Sequence, residues 1–303
     1  MPKPLRRESQ PVCELMNNNE QVYGEYTQER LDAQYRQFTR DSKNQPYIER
    51  WESLSEAIDG KFKYRTLSYG PRPQQQIDLF SGSPDNAGLV VFFHGGSWSS
   101  QEKAQFHYIA ESMVTDGFAY AAVGFDHVPD VTLSEQVEQA IAAVEYLAKN
   151  PDGYSGEAIY VVGHATGAHL AAMAVTTNWP KRLGVDSCPI KGGMLISGIY
   201  DLEPVRLSKR NEYLQLGAAQ ANELSPIQRV REHPCPLVIG WGADELDEFK
   251  RQSQSFADAW RRSGGRCNAF ELPRSNHMDM SLELGDPDGP LLRAFLNIDE
   301  EAT

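Results

Sequence analysis

Cysteine is scarce in this chain of 303 residues: the four are scattered at Cys13, Cys188, Cys235 and Cys267, and no two form a C-x-x-C pair. That spacing suggests neither a zinc site nor a disulfide framework, so the thiols read as free and buried, and neither metal nor other cofactor is expected. Basic residues are outnumbered, 29 against 42 acidic ones, for a net charge of -13. Such a deficit favours solubility and argues against a broad basic surface that tracks a phosphate backbone, so nucleic acid is not an expected partner. Long apolar runs are absent too. The opening Met1-Pro-Lys-Pro-Leu-Arg-Arg-Glu8 lacks the apolar core of a signal peptide, and no run is long enough to cross a bilayer, so the expectation is a cytoplasmic setting and no membrane partner. No repeat, low-complexity tract or composition break divides the chain, and one large domain with a substantial core is expected.

That domain is expected over residues 61–303, preceded over 1–60 by an arm and a helical extension. Residues 1 to about 25 are polar and include Asn17-Asn-Asn19. From Thr27 to Phe38, Leu31, Tyr35 and Phe38 recur at helical spacing, which predicts a helix that packs on the core or covers the mouth of a site. Eight strand signals follow: about Lys63–Tyr69, Gln76–Phe80, Leu89–Phe93, Ala119–Val123, Ile159–Val162, Gly193–Ser197, Leu237–Trp241 and Asn268–Leu272. Amphipathic segments alternate with the later ones, among them Leu133–Lys149, with a stripe of Val137, Ile141, Val144, Tyr146 and Leu147, and Phe249–Arg262. Alternation of this kind predicts a mostly parallel sheet covered by helices on both faces. Short links around Gly70-Pro71 and Gly82-Ser-Pro84 would make the first strands an antiparallel edge.

One further absence matters more than the others. Gly163-His-Ala-Thr-Gly167 stands between the apolar run Ala158–Val162 and the helical run Ala168–Val175, the context of a G-x-S-x-G nucleophile elbow, but Ala165 stands where that motif has serine. A methyl group cannot attack a carbonyl. Around it the accompanying parts are present. The strand Val90–Phe93 runs into His94-Gly95-Gly96-Ser97-Trp98, a loop form that aims backbone N–H groups at a developing oxyanion; Gly95 and Gly96 would donate from this loop and Thr166 from the elbow. Downstream, Leu237–Trp241 ends in an acidic loop with Asp244 and Glu245, and Glu271–Leu272 leads to a loop histidine, His277. The order nucleophile, acid, histidine is that of an α/β-hydrolase. His277 would be the general base, with Asp244 favoured over the alternative Glu245 as its carboxylate. Asp247 and Glu248 read as the start of the next helix. Ser97, Trp98 and His164 are candidates for substrate contact. His169 reads as a hydrogen-bonded core residue, and His107, His127 and His233 have no partners at metal spacing.

Taken together, His94–Trp98, Gly163–Leu170, Ser197–Pro204, Glu248–Ser253 and Asn276-His277, with Pro129–Leu133 and Leu284–Pro290, resemble the kynurenine formamidase (arylformamidase) branch of the α/β-hydrolases. The resemblance runs from about Thr27 to Leu296. It implies hydrolysis of N-formyl-kynurenine by a metal-independent serine triad, with relatives that act on other small amides or aryl esters. Three departures bear on the carry-over: Ala165 at the nucleophile, Ser97 where an aromatic is expected after the paired glycines, and Gly124-Phe-Asp-His127 where a tyrosine-containing segment is expected. Trp98 either stacks on an aryl group or packs in the pocket wall.

Three readings of Ala165 remain open at this point. The first is a serine hydrolase of a small, aryl-type amide or ester, a formamide foremost, present as a Ser→Ala form. The second is a natural non-catalytic binder of small molecules, and the third a non-hydrolytic enzyme with His277 as base. The expected partner is a small-molecule substrate, with a homodimer left open.

Overall fold

The computed structural model describes residues 20–36, 43–83, 88–151, 154, 158–231 and 235–298. Most of the expected polar arm, with Asn17–Asn19 and Cys13, lies outside the described residues, as do Phe38, Pro84 and His233. A short antiparallel hairpin, β1 (Gln21–Tyr23) and β2 (Tyr26–Thr27), opens the described chain. All eight predicted strands then occur: β3 (Tyr64–Ser68), β4 (Gln76–Phe80), β5 (Leu89–Phe93), β6 (Ala119–Val123), β7 (Ile159–His164), β8 (Ile190–Ile196), β9 (Leu237–Gly242) and β10 (Cys267–Leu272). They form one sheet in the order β10-β9-β8-β7-β5-β6-β4-β3. The pairs among β5 to β10 are parallel, whereas β3 pairs β4 and β4 pairs β6 antiparallel, so the short early links do make the expected edge.

The apolar runs of the central strands follow from burial on both faces. Every residue of β5, β6 and β7 is buried. Because successive side chains point to opposite faces, Leu89, Val91 and Phe93 of β5 enter one core layer and Val90 and Phe92 the other. The first layer takes the stripe of the Leu133–Lys149 helix (Val137, Ile141, Val144, Leu147) and the Thr166–Val175 helix; the second takes Trp51 and Ile58 from the N-terminal side and Leu291, Leu292 and Phe295 from the C-terminal side.

The N-terminal extension differs in detail from its expectation. The helix predicted over Thr27–Phe38 spans Gln28–Gln34, and Leu31 and Tyr35 are buried in the first layer. A longer helix, Gln45–Lys61, follows that the sequence reading did not single out. Its Trp51, Leu54 and Ile58 form an i, i+3, i+7 stripe in an otherwise charged segment, the one signal that marks it. Among the described residues, no helix is long and apolar enough to cross a membrane.

This strand order locates the site. The chain leaves β5 toward β6 on one side and returns past it to β7 on the other, so the loops after β5 and β7 diverge at a switch point. A crevice opens there beyond the carboxyl ends of the strands, where open α/β sheets bind ligands. Phe93 is in register with Gly163, which sets the His94–Trp98 loop beside the elbow.

Candidate active site

Ala165 stands between β7 and its helix with φ 54° and ψ -120°, a conformation costly for a residue with a Cβ. The tight packing around it explains the flanking glycines. A Cβ on Gly167 would lie 2.0 Å from the carbonyl oxygen of Phe93 and 2.4 Å from that of His94, so only glycine lets the helix close on β5. Thr166 is the first residue of that helix, and its N–H is one of the opening amides that lack an acceptor within the helix.

The loop after β5 is held from beneath. His94 is buried and stacked between Phe125, 4.3 Å between ring centroids, and Phe106, 5.8 Å. Its Nδ1–H donates to the carbonyl of Gly95 at 2.9 Å. In a trans peptide the C=O and the following N–H point in opposite directions, so this bond turns the Gly96 N–H away from His94. The Gly96 carbonyl accepts from Ser99 N–H and the Ser100 hydroxyl, which orients the Ser97 N–H by the same rule. Gly96 has φ +105°, and a Cβ there would meet the Ser100 carbonyl at 2.1 Å. Gly96, Ser97 and Thr166 line a small cavity together with Ala165, His164, His277, Gln101, Arg210, Trp51, Phe249 and Met278. Gly95 lies behind this lining; a Cβ on it would come within 3.3 Å of the Ala165 methyl.

His277 enters the cavity as the first residue of the helix His277–Glu283. A capping box places it: the Asn276 side chain accepts from the N–H groups of Met278 and Asp279, and the Asp279 carboxylate accepts from Asn276 N–H. Tyr47 of the N-terminal extension braces the box through Asn276 Nδ2 and Asp279 Oδ1, both at 2.9 Å. The imidazole lies between the rings of His164 and Phe249, each 4.7 Å away.

The carboxylate that meets His277 is Glu245, at 2.8 Å from Nδ1. Asp244, the residue favoured on sequence, is exposed. The turn after β9 explains the correction: Asp244 N–H is bonded to the Ser275 carbonyl and its side chain is exposed, while Glu245 folds back so that its other oxygen accepts from Gly242 N–H at 2.7 Å and from the Ser197 hydroxyl. Burial pushes the Glu245 carboxyl up, but the His277 imidazole and these donors outweigh it and hold the group below the usual carboxylate range.

Other expectations are corrected too. Trp98 neither lines the cavity nor offers a face to an aryl group. Ser97 and Trp98 both have positive φ, 58° and 61°, which turns the indole into the core, where its Nε1–H donates to His169 Nδ1 at 3.2 Å. The other nitrogen, His169 Nε2–H, donates to the Leu224 carbonyl, so His169 is a core residue. His164 lines the cavity but its Nε2–H is committed to the His277 carbonyl, and burial drives its pKa down to about 3. Glu248 does start the helix Asp247–Arg262, but it is buried and binds Arg251 and Tyr35. Trp51, Gln101, Arg210, Phe249 and Met278 were not among the candidates. Phe249 lies within the Glu248–Ser253 segment of the resemblance, the other four carry no motif of their own, and all five reach the cavity only through the fold.

Among the described residues, no group of three His, Cys, Asp or Glu side chains could hold a metal ion. The parts brought together, an imidazole backed by a carboxylate, the loop after β5 and the helix start after β7 lining one small volume, and an elbow position between them, are those of an acyl-transfer site that lacks its nucleophile.

This sheet, with an elbow at its switch point and a carboxylate–histidine pair on later loops, defines an α/β-hydrolase. Comparison with known proteins narrows the class. A family model described as BD-FAE matches residues 76–259. Kynurenine formamidase from Danio rerio is 30% identical over 241 residues, covering 77% of this chain and 80% of the relative, and that from Salmo salar is 29% identical over 240 residues with the same coverage. A solved structure from Silicibacter sp. TM1040, described as a candidate thioesterase, superposes with a TM-score of 0.77 at 26% identity and covers 87% of this chain and 97% of its own. The chain belongs to the BD-FAE family of α/β-hydrolases, in its kynurenine formamidase-like branch.

Proposed function

We propose that this is a serine-type acyl-transfer site for a small amide or ester, an N-formyl-kynurenine-like formamide first, carried here in a Ser→Ala form that binds the substrate without cutting it. The observation that supports this reading is the backbone of Ala165: φ 54° and ψ -120° is a strained conformation that serves to lift a nucleophile above the sheet. A site given over to passive binding gains nothing from that strain, nor from a Glu245–His277 pair aligned at 2.8 Å.

With serine at 165, the hydroxyl attacks the carbonyl carbon and His277 takes its proton. Glu245 steadies the imidazolium, and the N–H groups of Gly96, Ser97 and Thr166 hold the oxyanion. Collapse expels the leaving amine or alcohol with the proton from His277, and water deacylates the serine by the same base. Donor positions in the β5 loop are thus assigned one residue later than expected: Gly95 serves by its closeness to position 165, and its carbonyl is the anchor that aims the next amide. Residues 61–303 form the catalytic unit in this proposal. Of the N-terminal extension, the helix Gln45–Lys61 covers it in part, since Trp51 lines the cavity and Tyr47 braces the histidine loop.

Ala165→Ser tests the reading. Loss of a triad nucleophile lowers kcat by about a million-fold, so the serine form is expected to hydrolyse N-formyl-kynurenine or an aryl acetate at least about ten-thousand-fold faster than the chain as it stands. No gain on either substrate, with tight ligand binding retained by the alanine chain, would favour a binding protein instead.

A further inference from the structure

The cavity over Ala165 is rich in donors and poor in acceptors. Gly96, Ser97 and Thr166 bring backbone N–H groups, and Arg210 lines the same volume with its Nε and Nη2 on the Tyr35 carbonyl. On the acceptor side, His277 Nε2 is needed for the nucleophile's proton. His164 keeps an acceptor at Nδ1, since its Nε2–H is committed to the His277 carbonyl, and beside it stands Gln101. It is 6% exposed, it lines this cavity, and its buried Oε1 receives no hydrogen bond from any described residue. A buried acceptor without a donor is costly, so in native structures such a group calls for a partner, whether an ordered water or a ligand.

The backbone tells the same story. Gln101 has φ +71°, a left-handed conformation disfavoured for a residue with a long side chain. Its Cγ lies 3.1 Å from where a Cβ on Gly96 would stand, so the strained turn packs this side chain against the loop that carries the amide donors. Strain and an unsatisfied polar group in one residue at the site are what a substrate-reading position combines.

We propose that Gln101 Oε1 accepts the N–H of a secondary amide substrate and so selects amides over the matching esters. This rests on the acyl-transfer reading of the cavity. The substrate carbonyl oxygen takes the Gly96, Ser97 and Thr166 donors, and the atom next to the carbonyl carbon then decides the pairing. An amide offers N–H to Gln101. An ester places an oxygen there, which brings a second acceptor and leaves Oε1 desolvated and unpaired.

The test compares p-nitroacetanilide with p-nitrophenyl acetate, which differ only by N–H against O at that atom. In the Ala165→Ser form, Gln101→Leu is expected to lower the amide-to-ester ratio of kcat/KM about tenfold, and Gln101→Glu, which keeps an acceptor, to restore most of it. In the unaltered alanine chain, calorimetry is expected to show the anilide binding about fivefold or more tighter than the ester. A ratio that stays within twofold in Gln101→Leu, or equal binding of the two compounds where that variant does not fold, overturns the proposal. The two readings separate cleanly. If the serine form cuts neither compound but the alanine chain prefers the anilide through Gln101, the hydrolase reading falls and the selection stands. If it cuts both and the ratio ignores Gln101, the selection falls and the hydrolase stands.

Discussion

His277 and His107 are both buried against carboxylates, yet they stand in unlike surroundings. His277 gives Nδ1 to Glu245 at 2.8 Å and takes part in the cavity lining. His107 has a carboxylate on each nitrogen, Asp59 at 2.6 Å on Nδ1 and Asp78 at 3.1 Å on Nε2, while the edges of Tyr64 and Phe80 enclose the ring. Asp78 is further held by Lys103 at 2.6 Å and by Thr66 at 2.7 Å. The second cluster is a cross-link that ties the Gln45–Lys61 helix to β4 and to the segment after the β5 loop. A histidine–carboxylate pair therefore says little about chemistry by itself. What matters is whether a ring nitrogen is left over and faces a space that a substrate can enter.

The largest expected effects break the active pair. In the Ala165→Ser form, His277→Ala is expected to lower kcat by about four orders of magnitude or more, and a variant within tenfold of its parent would remove the histidine from the role of base. Glu245→Gln should cost about a thousandfold or more in the same assay, because the amide neither fixes the tautomer nor stabilises the imidazolium. Asp244→Asn should change kcat less than about twofold. A reversed order between these two acids would contradict the geometry.

Breaking the other pair should move stability and leave chemistry alone. His107→Ala strips Asp78 and Asp59 of a shared partner, and the expected loss is about 2–4 kcal/mol by urea denaturation, with kcat of the serine form within about threefold. A large fall in kcat at unchanged stability would mean that the cross-link reaches the site after all.

A further effect, read on stability alone, concerns histidines that have no carboxylate partner. Burial pushes His94 and His164 down to about 3 and His169 down to about 4, so all three stay neutral in the folded chain while the unfolded chain protonates them near the ordinary histidine value. Between roughly pH 6.5 and 4 the unfolded state thus binds more protons. Folding stability must fall as the pH drops through that window, by at most about 1.4 kcal/mol per pH unit for each residue. Chemical denaturation at stepped pH checks this, and His169→Gln should flatten the slope; a curve level from pH 6.5 to 4 would show that the rings are charged in the fold.

The strand periodicity, the two glycine-framed turns and the order of elbow, acidic loop and histidine could all be read along the chain. They are local: alternation is set by the pleat, and the elbow's glycines answer to clashes of about 2 Å that any occupant of this turn would meet. The absence of serine at 165 was legible in the same way. Tertiary structure decided the rest. Asp244 and Glu245 are neighbours with the same charge, and only the pairing of the turn after β9 with the loop after β10 shows which one points inward. Trp98 reads on sequence as either a stacking partner for an aryl group or a pocket-wall residue, and two consecutive left-handed residues turn it into the core instead. Gln101, Arg210 and Trp51 lie far apart in the chain or outside any motif, and they became parts of one cavity because the sheet order and the N-terminal helix brought them there. Short-range sterics leave a pattern within a few residues of sequence, whereas a pocket wall is assembled from long-range packing, whose partners no local pattern names.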